Sequence, residues 1–211
     1  MTTILHDKFD KHSLSQLPKA IFPGKIVVIL NEIDAKKAVD YLLSCDLLGF
    51  DTETKPVFKK GQYRKVALMQ VSTREICFLF RLNLIGLPDC LIRLLEDTTV
   101  PKVGLSLNDD MMMLRKRSEF QKGTFIDLQS VVGSLGIEDM SLQKIYANLF
   151  QERITKREQL SNWEADILTE KQKQYAATDA WACVMIYERL RELKKTKDFK
   201  LVKTIEEEET D

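Results

Sequence analysis

Asp51 and Glu53 stand two residues apart at the end of the apolar run Leu47, Leu48, Gly49, Phe50. Side chains at i and i+2 of a strand share a face, so both carboxylates point the same way. Two like charges that close are solvated where the strand ends, take up protons, or recruit a cation, because an unpaired ion in a low dielectric is costly. A second acid sits where acids are expensive. Tyr175, Ala176, Asp179, Ala182, Cys183, Ile186 and Leu190 form one stripe at helical spacing, the stripe expected to face a core, and Asp179 interrupts it. Asp179 needs a buried Lys or Arg, or a helix rotated enough to expose it, and Tyr175 one turn earlier puts a phenol on the same face. A third acid, Asp110, follows a strand-like run at a helix start, where Asn108, Asp109 and Asp110 are all ordinary capping residues. Its interest lies in the order: D-x-E on an early strand, Asp after a later strand, Y-x-x-x-D on a final helix.

Other reactive chemistries are poorly supplied. The two histidines, His6 and His12, both lie near the start, so an imidazole base would have to come from that arm. The four cysteines, Cys45, Cys77, Cys90 and Cys183, contain no C-x-x-C pair, which removes the usual zinc spacings and any sign of a disulfide framework. Lys+Arg and Asp+Glu number 32 each, and 44% hydrophobic with 30% charged residues argues for one globular domain in 211 residues. No run approaches the ~18 apolar residues of a membrane span, and the charged start does not resemble a signal peptide, so a cytoplasmic protein with no membrane contact is expected.

The elements that must position these acids are readable in outline. Residues 1–24 read as an N-terminal arm. Residues 26–30 form a strand, and Asp34 caps a helix with Ala35, Ala38, Val39, Leu42 and Leu43 at helical spacing. Strands follow at 47–53, 66–72 and 76–82, then a helix at 90–96, a strand at 102–106 and a helix from 108–110. After 125–128 the chain is mainly helical, at 141–150 and 169–193. Thr169 and Gln172 fit the S/T-x-x-Q capping box at the start of the last helix. Strands in front and helices behind imply a mixed sheet covered by helices in a domain of 25–195, with a charged, frayed tail at 196–211.

The order of acids resembles the DEDD superfamily of 3′–5′ exonucleases, in the subgroup whose third motif carries tyrosine. The motifs are G-F-D-T-E-T at 49–54 followed by K-V-A-L-M-Q-V at 65–71, K-V-G-L-S-L-N-D-D at 102–110, and L-S-N-W at 160–163 with L-T-E-K-Q-K-Q-Y-A-A-T-D-A at 168–180. The basic stretch after D-x-E and the S-N-W spacing resemble most the exonuclease domain of the Werner syndrome helicase, with ribonuclease D next. The resemblance implies an α/β ribonuclease H-like fold with a mixed five-stranded sheet flanked by helices. It also implies two divalent cations, Mg²⁺ or Mn²⁺, held by Asp51, Glu53, Asp110 and Asp179, with Tyr175 orienting the attacking water. Oxygen-only ligands suit such hard cations, and a cation pair can drive in-line phosphodiester hydrolysis without a histidine. The chain departs from the family's G-x-G-x-x-G-D in the second motif, where Asp110 rather than Asp109 matches the spacing, and Met112 stands where the Werner-like pattern often has tryptophan.

The expected activity is release of nucleoside 5′-monophosphates from single-stranded or recessed 3′ ends, DNA being favoured. A ribonuclease D-like processing enzyme and a catalytically silent nucleic-acid-binding module are the alternatives. The expected nucleic-acid contacts are Thr52, Thr54, Lys55, Lys59, Lys60, Arg64, Lys65, Lys156 and Trp163, with Phe58 and Tyr63 as further stacking candidates, Trp163 being either a stacking residue or part of the core. Arg115, Lys116 and Arg117, and Arg153 and Arg157, are either phosphate contacts or solvated faces. Any helicase or polymerase partner would act in trans.

Overall fold

The structure, a computed structural model, describes residues 2–59, 61 and 63–204. Its strands are β1 (Thr3–His6), β2 (Lys25–Ile29), β3 (Leu48–Glu53), β4 (Leu68–Ser72), β5 (Ile76–Phe80), β6 (Lys102–Gly104), β7 (Phe125–Asp127) and β8 (Phe199–Val202). The helices are α1 (Lys11–Leu14), α2 (Glu32–Leu42), α3 (Leu82–Ile85), α4 (Asp89–Glu96), α5 (Leu107–Arg115), α6 (Leu128–Gly133), α7 (Leu142–Phe150) and α8 (Glu170–Thr196).

Six strands, in the order β2-β5-β4-β3-β6-β7, make the main sheet. The strand β4 is antiparallel to both neighbours and the remaining pairs are parallel. This corrects the expected five strands to six, the outermost being the three-residue β7. The sheet is buried on both faces, so its strands read as nearly continuous apolar runs. Leu48 and Phe50 of β3 pack with α2, α4 and α5 on one side. On the other side lies α8, whose Ala176, Ala180, Val184, Ile186 and Leu190 are fully buried. Each buried Ile or Leu contributes about 1.5–3 kcal/mol, the stabilisation against which the burial of acids on the same face must be set.

The helix starts follow local chemistry. The Thr169 hydroxyl accepts the Gln172 N–H at 3.2 Å while the Gln172 side chain accepts the Thr169 N–H at 3.0 Å, the reciprocal box expected from sequence. The cap of α2 is Asn31 instead of Asp34, because the Asn31 side chain accepts the Asp34 N–H at 2.9 Å and leaves Asp34 in the first turn. The strand expected at 102–106 stops at Gly104, since Ser106 turns into the left-handed region with φ 58°.

The arm and the start of the tail meet. The strand β1 pairs in parallel with β8, Thr3 opposite Phe199, in a separate two-stranded sheet. Leu5 is fully buried, and Asn148 of α7 both accepts the His6 N–H at 2.9 Å and donates to the His6 carbonyl at 2.7 Å. The acidic run at 206–209 and Asp211 lies outside the described residues. Among the described residues, no helix is long and apolar enough to cross a membrane.

Candidate active site

The alternation of β3 sends Asp51 and Glu53 toward α8. The closeness of strand and helix rests on Gly49, where a β-carbon would stand 1.9 Å from the carbonyl oxygen of Ala180. With no side chain between them, the two backbones touch, and Asp179, next to Ala180, comes level with Asp51. One carboxylate oxygen each from Asp51, Glu53 and Asp179 lies within 4.8 Å of the others. Glu53 and Asp179 are buried, and Asp51 lines a cavity of about 280 Å³ together with both of them, Tyr175, Leu105 and Lys156.

Asp110 enters from the first turn of α5, and its carboxylate accepts a hydrogen bond from the Thr52 hydroxyl. Asp109 is exposed, whereas Asp110 is half-buried and its charge acts on Asp51. The turn that aims it is built by Ser106 in the left-handed region and by Asp127 at the end of β7. The Asp127 carboxylate accepts the N–H groups of Ser106 at 3.2 Å, Leu107 at 2.9 Å and Gln129 at 3.0 Å, and so caps α5 and α6 together.

Four acids this close disturb one another's titration. Burial, then the charges of Asp110 and Asp179, hold the Asp51 carboxyl well above the usual carboxylate range. Burial and Asp51 push Glu53 up to about 10. Burial raises Asp110 to about 6 against the opposing Thr52 hydrogen bond. Burial likewise raises Asp179 to about 7, against the Tyr175 hydroxyl that it accepts and the nearby charge of Lys156. Tyr175 is raised too, by burial and by Asp179 and Glu53, so its phenol stays protonated and can only donate to these carboxylates. The buried Asp179 Oδ1 has no hydrogen-bond partner among the described residues.

Hard oxygen donors, mutual repulsion and an unpartnered carboxylate oxygen fit divalent cations. A metal site in this chain would draw on Asp51, Glu53 and Asp179, with Asp110 near enough for its charge to act on Asp51 and Glu53.

The expected nucleic-acid contacts divide. Trp163 is fully buried, its ring centroid 6.0 Å from that of Tyr175 and its indole N–H donating to the Gln159 carbonyl at 3.4 Å. It supports the tyrosine and has no face for a base, so of the two readings the core one holds and Trp163 is removed from the expected nucleic-acid contacts. The S-N-W loop around it is clamped by Gln172, which donates to the Ser161 hydroxyl at 2.9 Å and the Asn162 carbonyl at 3.2 Å. The buried Arg81 adds hydrogen bonds to the Ala165 and Asp166 carbonyls.

The basic loop after β3 is partly committed. Lys55 and Arg64 both pair with Glu164, at 3.6 and 3.4 Å. Lys59 and Lys65 are exposed, Thr54 is half-buried, and Lys60 lies outside the described residues. Phe58 and Tyr63 are 86% and 83% exposed, leaving flat aromatic faces open. Lys116 sits over the Tyr63 ring, and Arg117 donates to the Val66 carbonyl at 2.8 Å. Met112 is exposed. Among the described residues, Lys156 is the expected cation that lines the acid cavity.

Sequence reasoning gave no role to Gln70. It lies directly across from Asp51 in the β3–β4 register, is fully buried, and neither amide atom has a hydrogen-bond partner among the described residues. The available signal was one polar residue inside the otherwise apolar run from Val66 to Val71.

The 3′–5′ exonuclease family profile matches residues 26–194. The bifunctional 3′-5′ exonuclease/ATP-dependent helicase WRN of Mus musculus is 32% identical over 190 residues, 85% of this chain and 14% of that protein. Exonuclease 3′-5′ domain-containing protein 2 of Drosophila melanogaster is 36% identical over 166 residues, 77% of this chain and 27% of that protein. This chain thus spans about a quarter or less of the length of these two relatives. The EXO domain of Aedes aegypti Nibbler superposes with TM-score 0.74 at 20% identity, over 82% of this chain and 90% of that one. Escherichia coli RNase D superposes with TM-score 0.73 at 20% identity, over 82% of this chain and 46% of that one, and at such identities the likeness is one of fold. The chain belongs to the 3′–5′ exonuclease family.

Proposed function

We propose that this chain hydrolyses phosphodiester bonds from the 3′ end of a nucleic-acid strand and releases nucleoside 5′-monophosphates, using Asp51, Glu53, Asp110 and Asp179 as ligands of two divalent cations. The observation that carries the reading is the convergence of Asp51, Glu53 and Asp179 oxygens within 4.8 Å, with Asp110 close enough for its charge to act on Asp51. A module that only binds nucleic acid gains nothing from four carboxylates that repel phosphate.

Bound Mg²⁺ or Mn²⁺ would neutralise the acids, lower the pKa of the attacking water and stabilise the departing 3′ oxygen. The chain's own groups do the rest. Asp51 lies close to Glu53 and Asp179 and feels the charge of Asp110, so with these three it would hold the cations. Glu53 and the Tyr175 hydroxyl face the cavity together and orient the water for in-line attack. Trp163 fixes the Tyr175 ring, and Lys156 offers a cation to the phosphate. The Thr52 hydroxyl holds Asp110 in place.

The relatives include proteins named DNA polymerase I, of Aquifex aeolicus, and ribonuclease D, of Desulfotalea psychrophila. We favour DNA, on the basic stretch after Glu53 and the S-N-W spacing, which resemble the Werner-type pattern. The test is digestion of matched DNA and RNA strands with recessed 3′ ends in Mg²⁺ or Mn²⁺, wild type beside Asp51→Asn. Shortening from the 3′ end by wild type alone is expected, faster on DNA. Equal degradation by both proteins, or by neither, refutes the nuclease reading.

A further inference from the structure

Beyond Tyr175 the acid cavity continues into a second groove of about 440 Å³, and the two share Ile154, Thr155 and Tyr175. The N-terminal arm supplies one wall through Lys19 and Ile21, and Arg157 and Lys171 supply the other. The arm is tied down here. Arg153 N–H donates to the Pro18 carbonyl at 2.8 Å and Ala20 N–H to the Arg153 carbonyl at 3.0 Å. Phe22 N–H donates to the Thr178 hydroxyl at 3.0 Å, and Gln174 donates to the Phe22 carbonyl at 2.8 Å. A wall docked at four points on α8 and the neighbouring loop is preorganised for a ligand.

The charges are disposed for a polyanion. Lys19, Arg157 and Lys171 are exposed and make no ion pair among the described residues, in contrast to Lys55 and Arg64, which Glu164 already engages. The acids of the groove are Glu158 and Glu170, and Glu170 is turned to Lys173 at 2.5 Å. Ile21 is 55% exposed and gives the groove an apolar surface between the cations. Free cations around an apolar strip suit a strand that carries both phosphates and bases.

Resting on the nuclease reading, we propose that this arm-side groove takes the nucleotides of the single strand that adjoin the scissile phosphate. Lys19, Arg157 and Lys171 meet successive backbone phosphates, and Ile21 packs against a base or sugar. The arm is thereby part of the substrate site, and the main grip on the strand lies on the α8 side of the cavity and not on the loop after β3.

The test compares two charge reversals of equal size, Lys19→Glu with Lys171→Glu and Lys55→Glu with Arg64→Glu, by fluorescence anisotropy of a labelled single-stranded 12-mer in EDTA. Metal-free binding is measured whether or not the chain is a nuclease, so loss of hydrolysis in the Asp51→Asn assay and loss of this subsite are separate results. The Lys19/Lys171 variant is expected to bind at least ~10-fold more weakly than wild type. It should also flatten the dependence of log Kd on log salt by about 1.4, from about 0.7 per single-strand phosphate contact. The Lys55/Arg64 variant should lose less. A Lys19→Gln, Lys171→Gln variant should move the same way with its unfolding temperature unchanged. Wild-type affinity in the Lys19/Lys171 variant, or an equal or greater loss in the Lys55/Arg64 variant, overturns the proposal.

Discussion

Gly49 and Ala180 are in backbone contact, with room for no atom between the α-carbon of one and the carbonyl of the other. That contact sets the depth at which α8 lies on the sheet, and so the distance from Asp179 to Asp51. Gly49→Ala must push strand and helix apart by about an ångström or more, and a shift of that size costs roughly 10²-fold in a preorganised site. We expect a folded but destabilised protein with kcat/KM lowered by that order and weaker Mn²⁺ binding. Unchanged Mn²⁺ affinity in calorimetry would show that the contact does not set the site.

Gln70 tests whether the site is maintained at the expense of stability. A buried amide without partners costs about 1–3 kcal/mol, so Gln70→Leu should raise the unfolding temperature of the metal-free protein. The same change removes the polar neighbour of Asp51 across the strand pair and should lower kcat about tenfold. A variant that unfolds at lower temperature than wild type would mean that the amide is satisfied and structural.

Ser106 adopts a left-handed conformation that costs a residue with a β-carbon about 1–2 kcal/mol, partly offset in glycine by its greater unfolded entropy. Ser106→Gly is therefore expected to stabilise the chain by up to ~1 kcal/mol, or about 2–4 °C, with activity retained. A loss of stability by differential scanning calorimetry would mean that the serine side chain, not the turn, matters there.

The acids link stability to pH and metal. Each carboxyl pKa in the cluster is raised on folding, so its contribution is fully present below the ordinary carboxylate range. It is lost as pH rises through about 6 for Asp110, about 7 for Asp179 and about 10 for Glu53. In EDTA the unfolding temperature should fall between pH 5 and pH 8. Mn²⁺ binds the ionised form, so the increase it produces should grow over that interval. Asp51→Asn should flatten both trends. A metal-free protein that gains stability from pH 5 to pH 8 would contradict the shared burial of these groups.

Asp51, Glu53 and Asp179 were legible in the sequence because alternation in a strand and spacing on a helix fix which side chains share a face before any packing is known, whereas Asp110, one of three ordinary helix-start residues, stood out only by the order of the motifs. The Thr169 cap was legible for the same local reason. What depended on contacts between distant segments was not. Asn31 and Asp34 are both good caps three residues apart, and only hydrogen-bond geometry separates them. Trp163 has the same composition signal whether it stacks on a base or on Tyr175. The docking of the arm on α8, the pairing of β1 with β8 and the placement of Gln70 across from Asp51 follow from register and topology, which periodicity does not carry.

The central claim is that Asp51, Glu53, Asp110 and Asp179 hold a pair of cations around one phosphate. It is tested most directly by a crystal structure in Mn²⁺ with a nucleoside 5′-monophosphate, read by anomalous scattering. Two peaks about 3.5–4 Å apart are expected, with Asp51 shared between them and the phosphate bridging. Manganese absent from these carboxylates, or a nucleotide bound away from them, would contradict the account.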